Sequence, residues 1–173
     1  MKTKILFLAV VLFALISGCN KAGVNFLISN QADFRIESSS PLNLPFEMGT
    51  PDVTTNSAQE FQNNNTATNL IKEVKLEELK LTITSPSGKT FSFLKSVQIF
   101  ISTNSSDEIE LASLDNIATT ATSISLTTST QNLDKYVKAS SYKLRTRVVT
   151  KETLTQAVDI RAAIKFRIKA SPL

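Results

Sequence analysis

Ser141-Tyr142-Lys143-Leu144-Arg145-Thr146-Arg147-Val148-Val149-Thr150, followed by Ile160-Arg161-Ala162-Ala163-Ile164-Lys165-Phe166-Arg167-Ile168-Lys169, decides the fold class. In the first stretch Tyr142, Leu144, Thr146 and Val148 fall on one side, and Lys143, Arg145, Arg147 and Val149 on the other. In the second, Ile160, Ala162, Ile164, Phe166 and Ile168 alternate with Arg161, Ala163, Lys165, Arg167 and Lys169. A repeat of two residues belongs to an extended strand with one face buried; a helix would repeat its apolar positions about every 3.6 residues. The β-branched side chains on these faces agree with strands.

The same period runs backwards along the chain. Val74 and Leu76, then Leu79, Leu81 and Ile83, keep an apolar face except for a slip of parity at Glu77-Glu78, which predicts a β-bulge. Ser85-Pro86-Ser87-Gly88 reads as a type I turn with proline in second place. Phe91 and Phe93, then Val97, Ile99 and Ile101, continue the pattern, and Ile109 with Leu111 and Ile124 with Leu126 mark shorter strands. Leu133, Tyr136 and Val137 suggest one helical turn, capped by Asn132 or Asp134. Strands at such short intervals predict an all-β, antiparallel β-sandwich of about seven strands over residues 71–173, immunoglobulin- or fibronectin-III-like, with a small barrel as the alternative. Tyr142 suits either the tyrosine corner of such sandwiches or plain core packing.

Residues 19–70 are polar and punctuated by Ser38-Ser39-Ser40-Pro41, Gly49-Thr50-Pro51 and Asn63-Asn64-Asn65. They read as a polar connector with one or two short strands, at Phe26 to Ile28 and Phe34-Arg35-Ile36, and a helical turn near Ser57 to Gln62; the stretch is either a tether or a set of edge strands that complete the sheet, and Phe34 with Ile36 on one side favours one strand packed on the domain. Before them, Lys2 and Lys4 precede an apolar run from Ile5 to Ile16, shorter than the about 20 residues that a spanning helix needs. Residues 1–18 therefore read as a secretory signal peptide.

Leu15-Ile16-Ser17-Gly18-Cys19 resembles the lipobox of bacterial lipoproteins, with Ile16 where leucine is commoner. The resemblance implies cleavage before Cys19 and acylation of its sulfur, giving a membrane-tethered protein without a spanning helix. Asn20 stands where aspartate would signal inner-membrane retention in enteric bacteria, and Lys21-Ala22-Gly23-Val24 lacks an acidic surface-export cluster, so the expected site is the outer membrane, facing the periplasm. The whole pattern, carried further by Leu81-Thr82-Ile83-Thr84-Ser85-Pro86-Ser87-Gly88 and Phe91-Ser92-Phe93-Leu94-Lys95-Ser96-Val97-Gln98-Ile99-Phe100-Ile101-Ser102, resembles small β-sandwich lipoproteins of Bacteroidota. That resemblance brings a fold and a cell-envelope location but no catalytic or ligand motif.

Composition narrows the chemistry. The 173 residues hold one cysteine and neither histidine nor tryptophan, which excludes Ser-His-Asp and Cys-His relays, histidine-ligated metals and an internal disulfide. Gly88-Lys89-Thr90 ends like a phosphate-binding loop, but Ile83 stands where that loop needs glycine and a strand follows, so no nucleotide is expected. Ser92-Phe93-Leu94-Lys95 and Ser140-Ser141-Tyr142-Lys143 match Ser-x-x-Lys without the partner motifs of penicillin-binding enzymes. Asp107, Glu108, Glu110 and Asp115 lack the ordered spacing of a calcium loop and read better as an exposed edge. No cofactor or metal is implied.

Charge is the remaining signal. Residues 135–173 hold ten basic side chains against Glu152 and Asp159, a net of +8, whereas residues 19–134 carry −6. If the last two strands form a hairpin around Lys151 to Gln156, then Lys143, Arg145, Arg147, Arg161, Lys165, Arg167 and Lys169 make one cationic face, a candidate anion-binding site for an envelope polymer or an acidic protein. The competing expectation is a ladder neutralised by Glu73, Glu77, Glu108 and Glu110. Nucleic acid is not an expected partner, since secretion separates the domain from it and no aromatic stacking platform is evident. The expected function is a non-enzymatic, membrane-tethered binding or assembly module; the alternative is an envelope hydrolase or glycan-processing enzyme built on carboxylates.

Overall fold

The computed structural model describes residues 23–173. The expected signal peptide and lipobox-like stretch, with Cys19, lie outside them. Ten strands follow in order: β1 (Val24–Ile36), β2 (Pro45–Gly49), β3 (Val53–Thr54), β4 (Ile71–Ser85), β5 (Leu94–Ser102), β6 (Ile109–Leu114), β7 (Ser123–Ser125), β8 (Thr127–Thr128), β9 (Ser141–Thr150) and β10 (Val158–Ala170). Helix α1 (Ser57–Asn63) lies between β3 and β4, and α2 (Asp134–Lys138) precedes β9.

The strands form two antiparallel sheets, one ordered β1-β10-β4-β7 and the other β2-β9-β5-β6-β8, with β3 added beside β9. This is the antiparallel β-sandwich that the alternating pattern predicts. Its connectivity differs from the immunoglobulin-like order, in which the first strand lies beside the second. Here the first strand pairs with the last, β2 with β9, β4 with β7 and β5 with β6, as though one long antiparallel ribbon were wrapped round the core, which is the order of a jelly roll. Strand alternation reports which side chains face inward and is silent on which strand lies beside which.

The division at residue 70 also changes. Residues 24–36 are one strand in register with β10 over its whole length, from Val24 opposite Ala170 to Ile36 opposite Val158. Ile28, Ala32, Phe34 and Ile36 enter the core, as do Val53 and Phe61 from the segment that follows. The expected connector therefore supplies a sheet edge and part of the hydrophobic core. Its polar outward row, Ser29, Gln31, Asp33 and Arg35, gives the segment its connector-like composition.

Other details follow the sequence more closely. The parity slip at Glu77-Glu78 is a bulge, since Lys165 faces Glu78 while Phe166 faces Leu76. The loop after β4 turns one residue later than expected: the Lys89 amide donates to the Pro86 carbonyl at 3.3 Å, and Gly88 takes φ +76° at the third position, the mark of a type II turn. Phe91–Phe93 form a short 3₁₀ turn rather than strand, with both rings fully buried. In α2, Asn132 caps no helix; its Oδ1 accepts the Val74 amide at 3.0 Å and ties the helix approach to β4.

The core fills the space between the sheets. Tyr142 belongs to it: its ring meets Phe166 edge-on at 6.1 Å, and its hydroxyl donates to Asn30 Oδ1 at 3.3 Å in the facing sheet. That is core packing with one bond across the sandwich, not a tyrosine corner bonding to nearby backbone.

Candidate functional site

The basic residues picked out by sequence do not share a face. β9 lies in one sheet and β10 in the other, so no hairpin joins them. The chain between them crosses from sheet to sheet. Lys143, Arg145 and Arg147 point outward from one side of the sandwich, and Arg161, Lys165, Arg167 and Lys169 from the opposite side.

Each row is also met by carboxylates. Arg161 Nε and Nη2 donate to the two oxygens of Asp33, at 2.9 and 3.3 Å. Lys165 meets Glu78 at 2.6 Å, Lys169 meets Glu73 at 2.7 Å, and Arg167 pairs with Glu77. On the other sheet Arg145 donates to both oxygens of Glu108, at 2.9 and 2.5 Å, and to Glu47 at 2.6 Å, with its guanidinium carbon 4.1 Å from the Phe100 ring centroid. Lys143 stands 3.9 Å from Asp52. Arg147, beside Glu47 and Gln98 in register, is the member of the set with no ion pair among the described residues. The bonds from Lys165 and Arg145 hold the carboxyls of Glu78 and Glu108 below the usual carboxylate range. The neutralised ladder describes the surface better than the single cationic face.

The acidic cluster is similarly engaged. Asp107 accepts from the Thr103 hydroxyl at 2.5 Å and from the amides of Thr103 and Asn104 at 2.8 and 3.1 Å, which holds its pKa down at about 2. Glu108 is taken by Arg145, and Glu110 accepts from the Gln98 amide group at 3.2 Å. Among the described residues no group of three or more acidic or cysteine side chains is gathered for a metal ion.

A different feature stands out on the open side of the sandwich. Among the described residues β1 has a strand neighbour on one side only, which leaves the other edge of a 13-residue strand unpaired by them, and no break of register interrupts its ladder with β10. Facing that edge is the lip of the second sheet, Gly49 to Thr54. The lip is stitched to β9: the Thr50 amide donates to the Leu144 carbonyl at 3.0 Å, and the Thr55 amide to Ser140 at 3.0 Å. Asn30 bridges edge and lip through its amide nitrogen, 3.3 Å from the Thr54 carbonyl. Beyond this latch the two diverge into a groove. One concavity of about 270 Å³ lies between Gln31–Asp33 and Thr50–Thr54, and a second of about 450 Å³ continues past Asp33 to Phe34, Arg35 and Gly49. A Cβ built on Gly49 meets nothing within 4 Å, so the groove is open above it.

Two carboxylates, Asp33 and Asp52, line the first concavity, each beside a cation: Arg161 for the one and Lys143 for the other. The groove is polar, charge-balanced and bordered by free backbone donors and acceptors. Those properties suit an extended polypeptide that adds as a strand. The sequence alone does not give this site, because it leaves residues 19–70 open between a tether and edge strands of the sheet. Continuous alternation from Ile28 through Ala32, Phe34 and Ile36 was the available signal.

No family model matches the chain, and no curated protein matches it in sequence. Among solved structures it is similar to turnip yellow mosaic virus, at 17% identity and a TM-score of 0.26, over 86% of this chain and 94% of that one. It is similar to the BFDV capsid protein at 6% identity and a TM-score of 0.35, over 85% and 99%. A carbohydrate-binding module from the β-sandwich superfamily is similar at 11% and 0.28, over 86% and 57%. Likeness at this level concerns architecture alone.

Proposed function

We propose that this chain is a bacterial cell-envelope lipoprotein, held by acyl chains on Cys19 at the outer membrane and facing the periplasm, whose sandwich is a non-enzymatic binding or assembly module. The lipobox resemblance at Leu15 to Cys19 supports the anchor. The observation that carries the binding reading is the unpaired edge of β1 beside the groove under Gly49. Natural sheets blunt exposed edges with bulges, prolines or inward charges, and β1 has no proline and no break of register along its ladder. An edge left in that state is a template for strand addition, and the partner it fits is an extended segment of another protein. The basic rows take a supporting role, because six of the seven cations already have a carboxylate within 4.0 Å.

Photo-crosslinking residues at Gln31 and Asp52 should trap one partner of discrete mass in cells, while the same residue at Ser87, on the turn after β4, should not. Gly49→Trp, at a position that lines the second concavity and where an added Cβ meets nothing within 4 Å, should abolish both adducts. Equal trapping at Ser87, or adducts that persist with Gly49→Trp, would overturn the groove. Cys19→Ser should move the chain from the membrane to the soluble fraction; unchanged membrane association would overturn the anchor.

A further inference from the structure

With β1 beginning at Val24, four residues separate Cys19 from a strand fixed along its whole length against β10. The five steps from Cys19 to Val24 reach at most about 18 Å when fully extended. The connector expected from the sequence, residues 19–70, would have spanned about 40 Å as a flexible coil and let the domain turn freely. β1 itself is about 40 Å long. The two ends of the sandwich are therefore far from equivalent with respect to anything attached at Cys19.

We propose that the Val24 end of the sandwich lies against the lipid headgroup layer of the membrane that holds the anchor, leaving the opposite end, with the turn at Pro86–Lys89, pointing away. This rests on acylation of Cys19 as proposed above. Three observations besides chain length bear on it. First, β1, β10 and β4 finish together there, with Val24 opposite Ala170 and Ala170 opposite Ile71. Second, the surface is pinned by short bonds: the Ser171 amide donates to the Leu70 carbonyl at 3.0 Å, and the Thr66 hydroxyl donates to the Ser171 carbonyl at 2.6 Å.

Third, its charge suits lipid phosphates. Lys75 and Lys169 both lean on the carboxylate of Glu73, at 3.8 and 2.7 Å, and the exposed Lys72 stands immediately before that glutamate in the chain. Three lysine side chains thus gather round one glutamate side chain at this end. Basic groups held beside an anionic leaflet are attracted within about a Debye length of it, and an 18 Å tether keeps them in or near that range.

The test uses the full lipidated chain in vesicles of phosphatidylethanolamine and phosphatidylglycerol carrying a nitroxide on the headgroup. Cys19 is the chain's sole cysteine and is consumed by the lipid, so a fluorophore can be placed by Asn69→Cys, on the exposed turn before β4, or by Ser87→Cys at the far end. Quenching should be several-fold stronger at position 69 than at 87. Equal quenching, or stronger quenching at 87, on a chain whose mass shows acylated Cys19, would overturn the apposition and leave the lipoprotein reading standing. Absence of acyl mass on Cys19 would overturn both.

Discussion

Arg145 donates to both carboxylate oxygens of Glu108 from beneath the Phe100 ring, so the most enclosed cation of the β9 row is already committed within the fold. A planar guanidinium stacked on an aromatic ring and bonded in parallel to a carboxylate is the strongest form of such a pair. Arg145→Ala should lower stability by about 1 kcal/mol, a value reduced for the third of the side chain still open to water. Urea denaturation reads that loss. Retention on phosphocellulose should be unchanged by the same substitution, whereas a free anion-binding arginine would lose retention when removed.

Removing β1 should be far more damaging than removing a connector. A chain starting at residue 23 should fold, with dispersed amide resonances and cooperative melting. A chain starting at residue 71 lacks the neighbour of β10 along its entire length and exposes Ile160, Ile164 and Phe166, so it should remain unfolded or aggregate. A cooperative melt from the shorter chain would contradict the structure.

Thr146 carries a buried hydroxyl with no hydrogen-bond partner among the described residues. Its neighbours in β9, Leu144 and Val148, face the same core. Thr146→Val exchanges that hydroxyl for a methyl group of similar size and should raise stability by about 1 kcal/mol, since a buried unpaired hydroxyl costs about 1–3 kcal/mol. A rise in the midpoint of chemical denaturation, with an unchanged slope, is the expected reading.

Asp107 gives the β5–β6 loop a pH dependence. Its folded pKa, about 2, lies below the ordinary 3.8, so its charged form favours the folded loop at pH values above about 4. That contribution fades as pH falls from about 4 through 2, when protonation removes the acceptor for Thr103 and Asn104. Amide exchange at Thr103 and Asn104 should accelerate, relative to the β5 amides, over that interval. In Asp107→Asn the acceleration should be absent, and these amides should exchange faster already at pH 6.

The alternation of Ile160 to Ile168 and of Tyr142 to Val148 makes the class of fold and most of the core legible, because a strand's two faces are written in successive residues. The bulge at Glu77-Glu78 was legible for the same reason. Neighbours in a sheet are not. Nothing in the row from Lys143 to Arg147 says that it lies on the opposite side of the molecule from the row of Arg161 to Lys169, since that depends on the sheet each strand joins. The segment 23–36 was obscured for another reason: only one face of an edge strand is apolar, and its other face resembles a linker in composition. With β1 legible only as two short pieces of undecided place, the groove beside it had no second wall in view.

Asp33 and Arg161, bonded side by side, stand 128 residues apart in sequence. The pairing of first strand with last has a temporal meaning. As the chain is made from its N-terminus, β1 is the first of the described strands delivered and its partner the last, so the sheet stays incomplete until residues 158–170 arrive. Such non-local closure is slow compared with local folding. A chain cut short before β10 has nothing to pair the backbone edge of β1, and it is left as a substrate for chaperones and proteases.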